Sequence, residues 1–139
     1  MRSWLKKAAD FHGHLGPFVM LGIRLGLAGL RETGARNGKS NLHVTVTLEN
    51  RIPLSCAVDG IQVVTGCTIG NKRLKIRRGE SLTATFQIEG AESVRVIVNK
   101  AAFNDLKRRV LSQRLTQDEL HKAAFEIASM SEECLLTIR

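Results

Sequence analysis

A chain of 139 residues with 43% hydrophobic and 24% charged residues is one globular domain, large enough to bury its own core and too apolar to be disordered. Aromatic residues are few, with no Tyr and a single Trp, so aliphatic packing must carry that core. Three cysteines at uneven spacing, with no signal-like apolar segment after Met1, argue against a disulfide framework and for a reducing, cytoplasmic setting. No stretch approaches the roughly 20 apolar residues of a membrane span, so no membrane is expected as a partner. The net charge of +8 raises the question of an anionic partner. It is clustered in two runs, Lys72, Arg73, Lys75, Arg77, Arg78 and Lys107, Arg108, Arg109, Arg114. Neither run is interleaved with aromatics that would stack on bases, and no helix-turn-helix, zinc-finger or RNA-recognition signature is present. Nucleic acid is therefore not expected as the main partner.

In chain order, Ser3 to Phe11 predicts a short amphipathic helix, with Trp4, Leu5, Ala8, Ala9 and Phe11 against Lys6, Lys7 and Asp10. It leads into His12-Gly13-His14-Leu15-Gly16-Pro17, where the glycines and the proline break regular structure and two imidazoles sit two residues apart. A loop of this kind invites a metal ion; the plainer alternative has one histidine capping a helix and the other solvated. Pro17 is a natural first helical residue, and Pro17 to about Thr33 predicts an apolar, central helix that stops at Gly34. Gly22, Gly26 and Gly29 fall on one of its faces, which implies close approach of another element, either the sheet of the same subunit or a second subunit. The turn-rich segment 35–41 is expected to be a surface loop.

Strict alternation over Leu42 to Leu48 predicts the first strand, with His43 on its solvated side. Pro53 ends extended structure just before the stretch SCAVDGIQVVTGCTIG, Ser55 to Gly70. Here Ser55 is placed to be an N-cap, Val58, Ile61 and Val64 recur at helical spacing, and Gly66 is placed for a left-handed C-cap. Cys56 then stands in the first turn, where partial positive charge would stabilise a thiolate and hold it below the ordinary thiol value of about 8.5. Cys67 lies past the far end, roughly 16 Å away along the axis, so the two cysteines are not expected to share an ion. Strands follow near 73–78, 82–88 and 94–98, read as an antiparallel meander that turns at Gly79-Glu80 and at 90–92. A helix beginning at Asn99 or Asn104 runs to about Leu111. Thr116 with Glu119 forms a capping box for a helix over Gln117 to Met130, with His121 on its exposed side, and residues 134–138 return to a strand.

Two segments together, FHGHLGP at residues 11–17 and CAVDGIQVVTGCTIG at residues 56–70, resemble the family named for the E subunit of formylmethanofuran dehydrogenase. The family pattern joins an F-H-G-H-x-C-P loop to a later C-x-x-D-[AG]-[IV]-Q-x-x-x-G-C-T-x-G helix and turn. His12, His14, Cys56, Asp59, Gln62, Cys67, Thr68 and Gly70 match it. Gly16 stands where the family has cysteine, and Asn71 and Arg73 stand where it prefers Lys and Asn. The resemblance implies an α+β domain with a five-stranded mixed sheet flanked by helices, thioredoxin-like, present as the core domain alone without a C-terminal zinc finger. It also implies a homodimer, an anaerobic archaeal or bacterial source, and a link to methanogenesis through a molybdenum or tungsten oxidoreductase of one-carbon metabolism.

The first hypothesis is thus a metal-binding domain in which His12, His14 and Cys56 hold a divalent cation, zinc by the borderline-soft character of the donors. Asp59, Gln62, Cys67 and Thr68 are the accompanying substrate-binding positions. A second is a non-catalytic binding or assembly protein whose metal site has decayed at Gly16. The third is an anion or nucleic-acid binder that uses the basic strand.

Overall fold

The computed structural model describes residues 2–38 and 41–139, so part of the expected loop at 35–41 lies outside the described residues. The elements are α1 (Arg2–His12), α2 (Pro17–Thr33), β1 (Leu42–Leu48), α3 (Cys56–Thr65), β2 (Leu74–Arg78), β3 (Thr83–Ile88), β4 (Val94–Val98), α4 (Lys100–Ser112), α5 (Gln117–Ser129), α6 (Glu132–Leu135) and β5 (Leu136–Ile138). The five strands form one mixed sheet in the order β2-β1-β3-β4-β5. This is the expected α+β architecture of a five-stranded mixed sheet flanked by helices. The last strand is shorter than expected, because residues 132–135 close a helical turn that takes in Cys134. Among the described residues no helix is long and apolar enough to cross a membrane.

Connectivity differs from the expected meander. β1 pairs parallel with β2, from Val44 beside Leu74 to Leu48 beside Arg78, and antiparallel with β3, from Leu42 beside Ile88 to Thr47 beside Thr83. β1 therefore lies between β2 and β3, and α3 is the crossover that a parallel pair requires. Gly79 makes the passage over the end of β1: its amide donates to the Leu48 carbonyl, and a Cβ there would stand 2.4 Å from Thr47 Cγ2. The Gly-Glu turn that looks like a hairpin in sequence is in fact a step across a strand already in place.

The apolar face of the sheet, with Val44, Val46, Ala84, Phe86, Val96 and Val98 buried, is covered by α2, which is itself buried along most of its length. The glycines of α2 are consumed within the chain. A Cβ at Gly22 would meet the Ala57 carbonyl oxygen at 2.0 Å, one at Gly26 would meet Val64 at 3.0 Å, and one at Gly29 would meet the Phe86 ring at 2.4 Å. The reciprocal glycine is Gly60 on α3, where a Cβ would stand 2.3 Å from the Val19 carbonyl oxygen. The glycine face thus locks α2 to α3 and to β3, and it gives no support to a second subunit.

Several local readings hold: Gly34 and Gly66 close α2 and α3 in the left-handed conformation, Pro17 opens α2, and Thr116 with Glu119 forms the capping box of α5. His43 and His121 are exposed as expected. Phe11 is not part of the apolar side of α1, being 59% exposed. Arg24 ties α2 to the C-terminal end of α5, since its Nη1 donates to the carbonyls of Ile127, Ala128 and Met130 at 3.0, 3.1 and 2.7 Å.

Candidate functional site

The junction between α1 and α2 and the start of α3 meet around a cavity of about 330 Å³. His12, His14, Gly16 and Cys56 line it, together with Pro17, Phe18, Val19, Ile52, Pro53, Val110, Leu115 and Leu120. The fold thus brings the three expected ligands, His12, His14 and Cys56, to one mostly apolar cavity, of a size and lining that suit a small-molecule site.

His12 is not in a loop. It is the last residue of α1, which places its ring against α3, and its Nδ1 lies 2.5 Å from Asp59 Oδ2. With a carboxylate as partner Nδ1 carries the proton, so Nε2 is the nitrogen left to ligate or to accept. Asp59 is held in turn: its Oδ1 accepts from Gln62 Nε2 at 3.4 Å, and Gln62 Oε1 accepts the backbone N–H of Ile69 at 3.1 Å. A single line of hydrogen bonds therefore runs from the imidazole to the turn after α3. His14 is exposed on the loop opened by Gly13, and its ring centroid is 4.8 Å from that of His12.

Cys56 contradicts the expected low pKa. Ser55 is itself in a helical conformation and makes no side-chain cap, and the amides of Ser55, Cys56, Ala57 and Val58 already donate to the carbonyls of Arg51, Pro53, Leu54 and Ser55. A preceding turn has satisfied the donors that would have favoured a thiolate, and burial, followed by the nearby Asp59 carboxylate, pushes the Cys56 thiol up.

Of the other expected residues, Asp59 and Gln62 stand behind His12. Cys67 is buried, with its Sγ donating to the Leu42 carbonyl at 3.3 Å, and burial raises its thiol as well. Thr68 belongs to a turn held by Asn71, whose Oδ1 accepts from the amides of Thr68 and Arg73 and whose Nδ2 donates to Gly66. Asn71, which departs from the family pattern, thus has a structural task. The residues that sequence reasoning missed are the apolar walls from 110, 115 and 120. They reach the cavity only because α4 and α5 fold back over it, and no local pattern marks them.

The donor set suits zinc: two imidazoles and a thiol on one cavity, one imidazole oriented by a carboxylate in the way that metal-ligating histidines commonly are. Among the described residues no three His, Cys, Asp or Glu side chains are already grouped as a metal site. Gly16 has extended backbone dihedrals, φ −115 and ψ 171, and a Cβ there would lie 3.6 Å from His14 Nε2. A side chain at that position would enter the same cavity beside His14.

Comparison with known proteins bears on the family and the fold. The model of the FmdE family, described as "Molybdenum formylmethanofuran dehydrogenase operon", matches residues 11–137. The chain belongs to the FmdE family. A crystal structure of an FmdE-like protein from Syntrophus aciditrophicus, the E subunit type of a tungsten formylmethanofuran dehydrogenase, superposes with a TM-score of 0.69, covering 99% of this chain and 70% of that one. At 21% identity this likeness shows a common FmdE fold. A "Probable S-adenosyl-L-methionine-binding protein" of Archaeoglobus fulgidus is 33% identical over 101 residues, 68% of this chain. The chain spans about a quarter, 26%, of the length of that curated relative.

Proposed function

We propose that this FmdE-family domain holds a divalent metal, zinc by its donor chemistry, through His12, His14 and Cys56 at the α1–α2–α3 cavity. The observation that carries the reading is the His12–Asp59 hydrogen bond, which leaves Nε2 of an oriented imidazole for an ion at the wall of an apolar cavity. A bound ion there would supply Lewis-acid polarisation and would favour the Cys56 thiolate that burial disfavours. The chain's own residues do the rest: Asp59 and Gln62 fix the His12 ring, and Phe18, Pro53 and Leu120 limit water. On this reading Asp59 and Gln62 position a ligand, and Thr68 and Cys67 hold the turn behind them.

The same reading places the chain beside a molybdenum or tungsten oxidoreductase of one-carbon metabolism, in the cytoplasm of an anaerobic, methanogenesis-type archaeon or bacterium, as a homodimer. The operon for which the family is named and the tungsten enzyme for which the Syntrophus protein is named support the first of these, and the dimer rests on the resemblance alone. The sheet is read as thioredoxin-like because a parallel β1–α3–β2 unit is extended on the other side of β1 by antiparallel β3 and β4.

Metal analysis of tag-free protein purified without chelator tests the proposal. Close to one zinc per chain is expected, lost in Cys56→Ser and His12→Ala and retained in Cys67→Ser. Negligible metal in the unaltered chain would leave the second reading, a binding or assembly scaffold whose site decayed at Gly16; uptake gained in Gly16→Cys would identify the missing donor. S-adenosylmethionine binding, suggested by the name of the Archaeoglobus relative, is checked by calorimetry on the same protein.

A further inference from the structure

The face of the sheet opposite the helices carries His43, Gln87 and Ile97, and between them a group of hydroxyls and cations. The strand registers place Thr45 and Thr47 of β1, Lys75 and Arg77 of β2, Thr83 and Thr85 of β3 and Arg95 of β4 on that side. Arg77, Arg95 and four of those threonines surround a shallow depression of about 290 Å³, where Ser81 and Thr83 bond to each other at 3.2 Å. Open antiparallel faces are commonly polar, so the hydroxyls alone would say little. The sign of the charge says more. No acidic residue occupies any of these face positions, although the chain has 13 Asp and Glu.

Elsewhere some of the cations are matched to acids. Arg31 pairs with Glu132, Lys107 and Arg51 with Glu49, Arg109 with Glu126, and Lys6 with Asp10. Among the described residues no such ion pair takes up Lys75, Arg77 or Arg95, and all three are exposed. Glu80, in the turn after β2, lines the neighbouring depressions with Glu49.

We propose that this open sheet face is a docking surface for an acidic, extended polypeptide segment of a partner protein, held at its two ends by Arg77 and Arg95 over a floor of threonine hydroxyls. Spacing and composition select this occupant. Arg77 and Arg95 stand three strands apart and two residues out of line, about 16 Å from backbone to backbone, and alternate side chains of an extended peptide recur about every 7 Å, so carboxylates four to six residues apart, on long flexible side chains, reach both guanidiniums. The strand positions on this face hold no Phe, Tyr or Trp on which bases would stack, which disfavours single-stranded nucleic acid. Arginine forks and hydroxyl donors suit carboxylates, and binding of this kind is steered by charge and weakened by salt.

The test uses the full chain and a fluorescein-labelled peptide of glutamates, read by anisotropy at low salt against a glutamine peptide of the same length. Arg77→Gln with Arg95→Gln is expected to weaken binding about tenfold or more, with helicity and melting unchanged because both positions are exposed. Arg114→Gln with Lys122→Gln removes the same charge from elsewhere and is expected to change affinity less than about twofold. Equal loss in both double variants would overturn the proposal, since only the general field would then be acting. So would absence of binding, or tighter Arg77- and Arg95-dependent binding of an oligothymidylate.

Discussion

Gly22→Ala asks whether the contact between α2 and α3 is as close as the backbone implies. Alanine is the better helix former by about 1 kcal/mol, so propensity alone predicts a more stable protein. Against that, the new methyl would stand 2.0 Å from the Ala57 carbonyl oxygen and 3.0 Å from Gly60 Cα. Those are backbone atoms of a buried helix and cannot rotate away. Relief requires α2 and α3 to separate by more than about 1 Å, a gap that forfeits a quarter to a half of the dispersion energy of the atoms lining it. Overpacking of this kind costs about 1–3 kcal/mol and sometimes more; a clash with fixed backbone belongs at the upper end, so after the helix gain of about 1 kcal/mol the net expectation is a loss of about 2 kcal/mol. Urea unfolding followed by circular dichroism should show the midpoint falling with an unchanged slope. Because α2 begins at the cavity and α3 opens with Cys56, separation should also make Cys56 easier to alkylate. A variant equal to or more stable than the parent would refute the packing argument.

Arg24→Met should cost about 2 kcal/mol by the same assay, because three carbonyls at the end of α5 lose their shared donor while the aliphatic stem is kept. In metal-free protein, iodoacetamide should modify exposed Cys134 first and Cys56 slowly at neutral pH, since burial and Asp59 disfavour its thiolate; peptide mapping should show Asp59→Asn reacting faster at Cys56, and an unchanged rate would remove Asp59 as a cause. Hydrogen bonds from Arg31 hold Glu132 below the ordinary carboxylate range, so its contribution is present above the unfolded value of about 4.3 and lost as pH falls. With Glu132 39% exposed, Glu132→Gln should cost less than about 1 kcal/mol at pH 7, and melting curves of the two proteins should converge in acid.

Much of this molecule is determined locally and is legible in the chain. Period-2 alternation marks β1 and β4 because one face of each is buried and the other is not, and Pro17, Gly34, Gly66 and the Thr116–Glu119 pair mark helix ends because each satisfies or removes an unpaired backbone group. The spacing of His12, His14 and Cys56 with Asp59 and Gln62 is enough to identify the family. Only the tertiary structure decided the rest, because pairing partners, electrostatics and close approach are set by what comes from far along the chain. Gly79 reads as a hairpin glycine until β1 is seen to occupy the place beside β2. Gly22 marks a close approach in sequence but not its partner, and the packed backbone of α3 makes that partner internal. Cys56 stands at a helix start in either view, yet the turn at 51–55 satisfies the local amides, and burial beside Asp59 reverses the expected direction of its pKa.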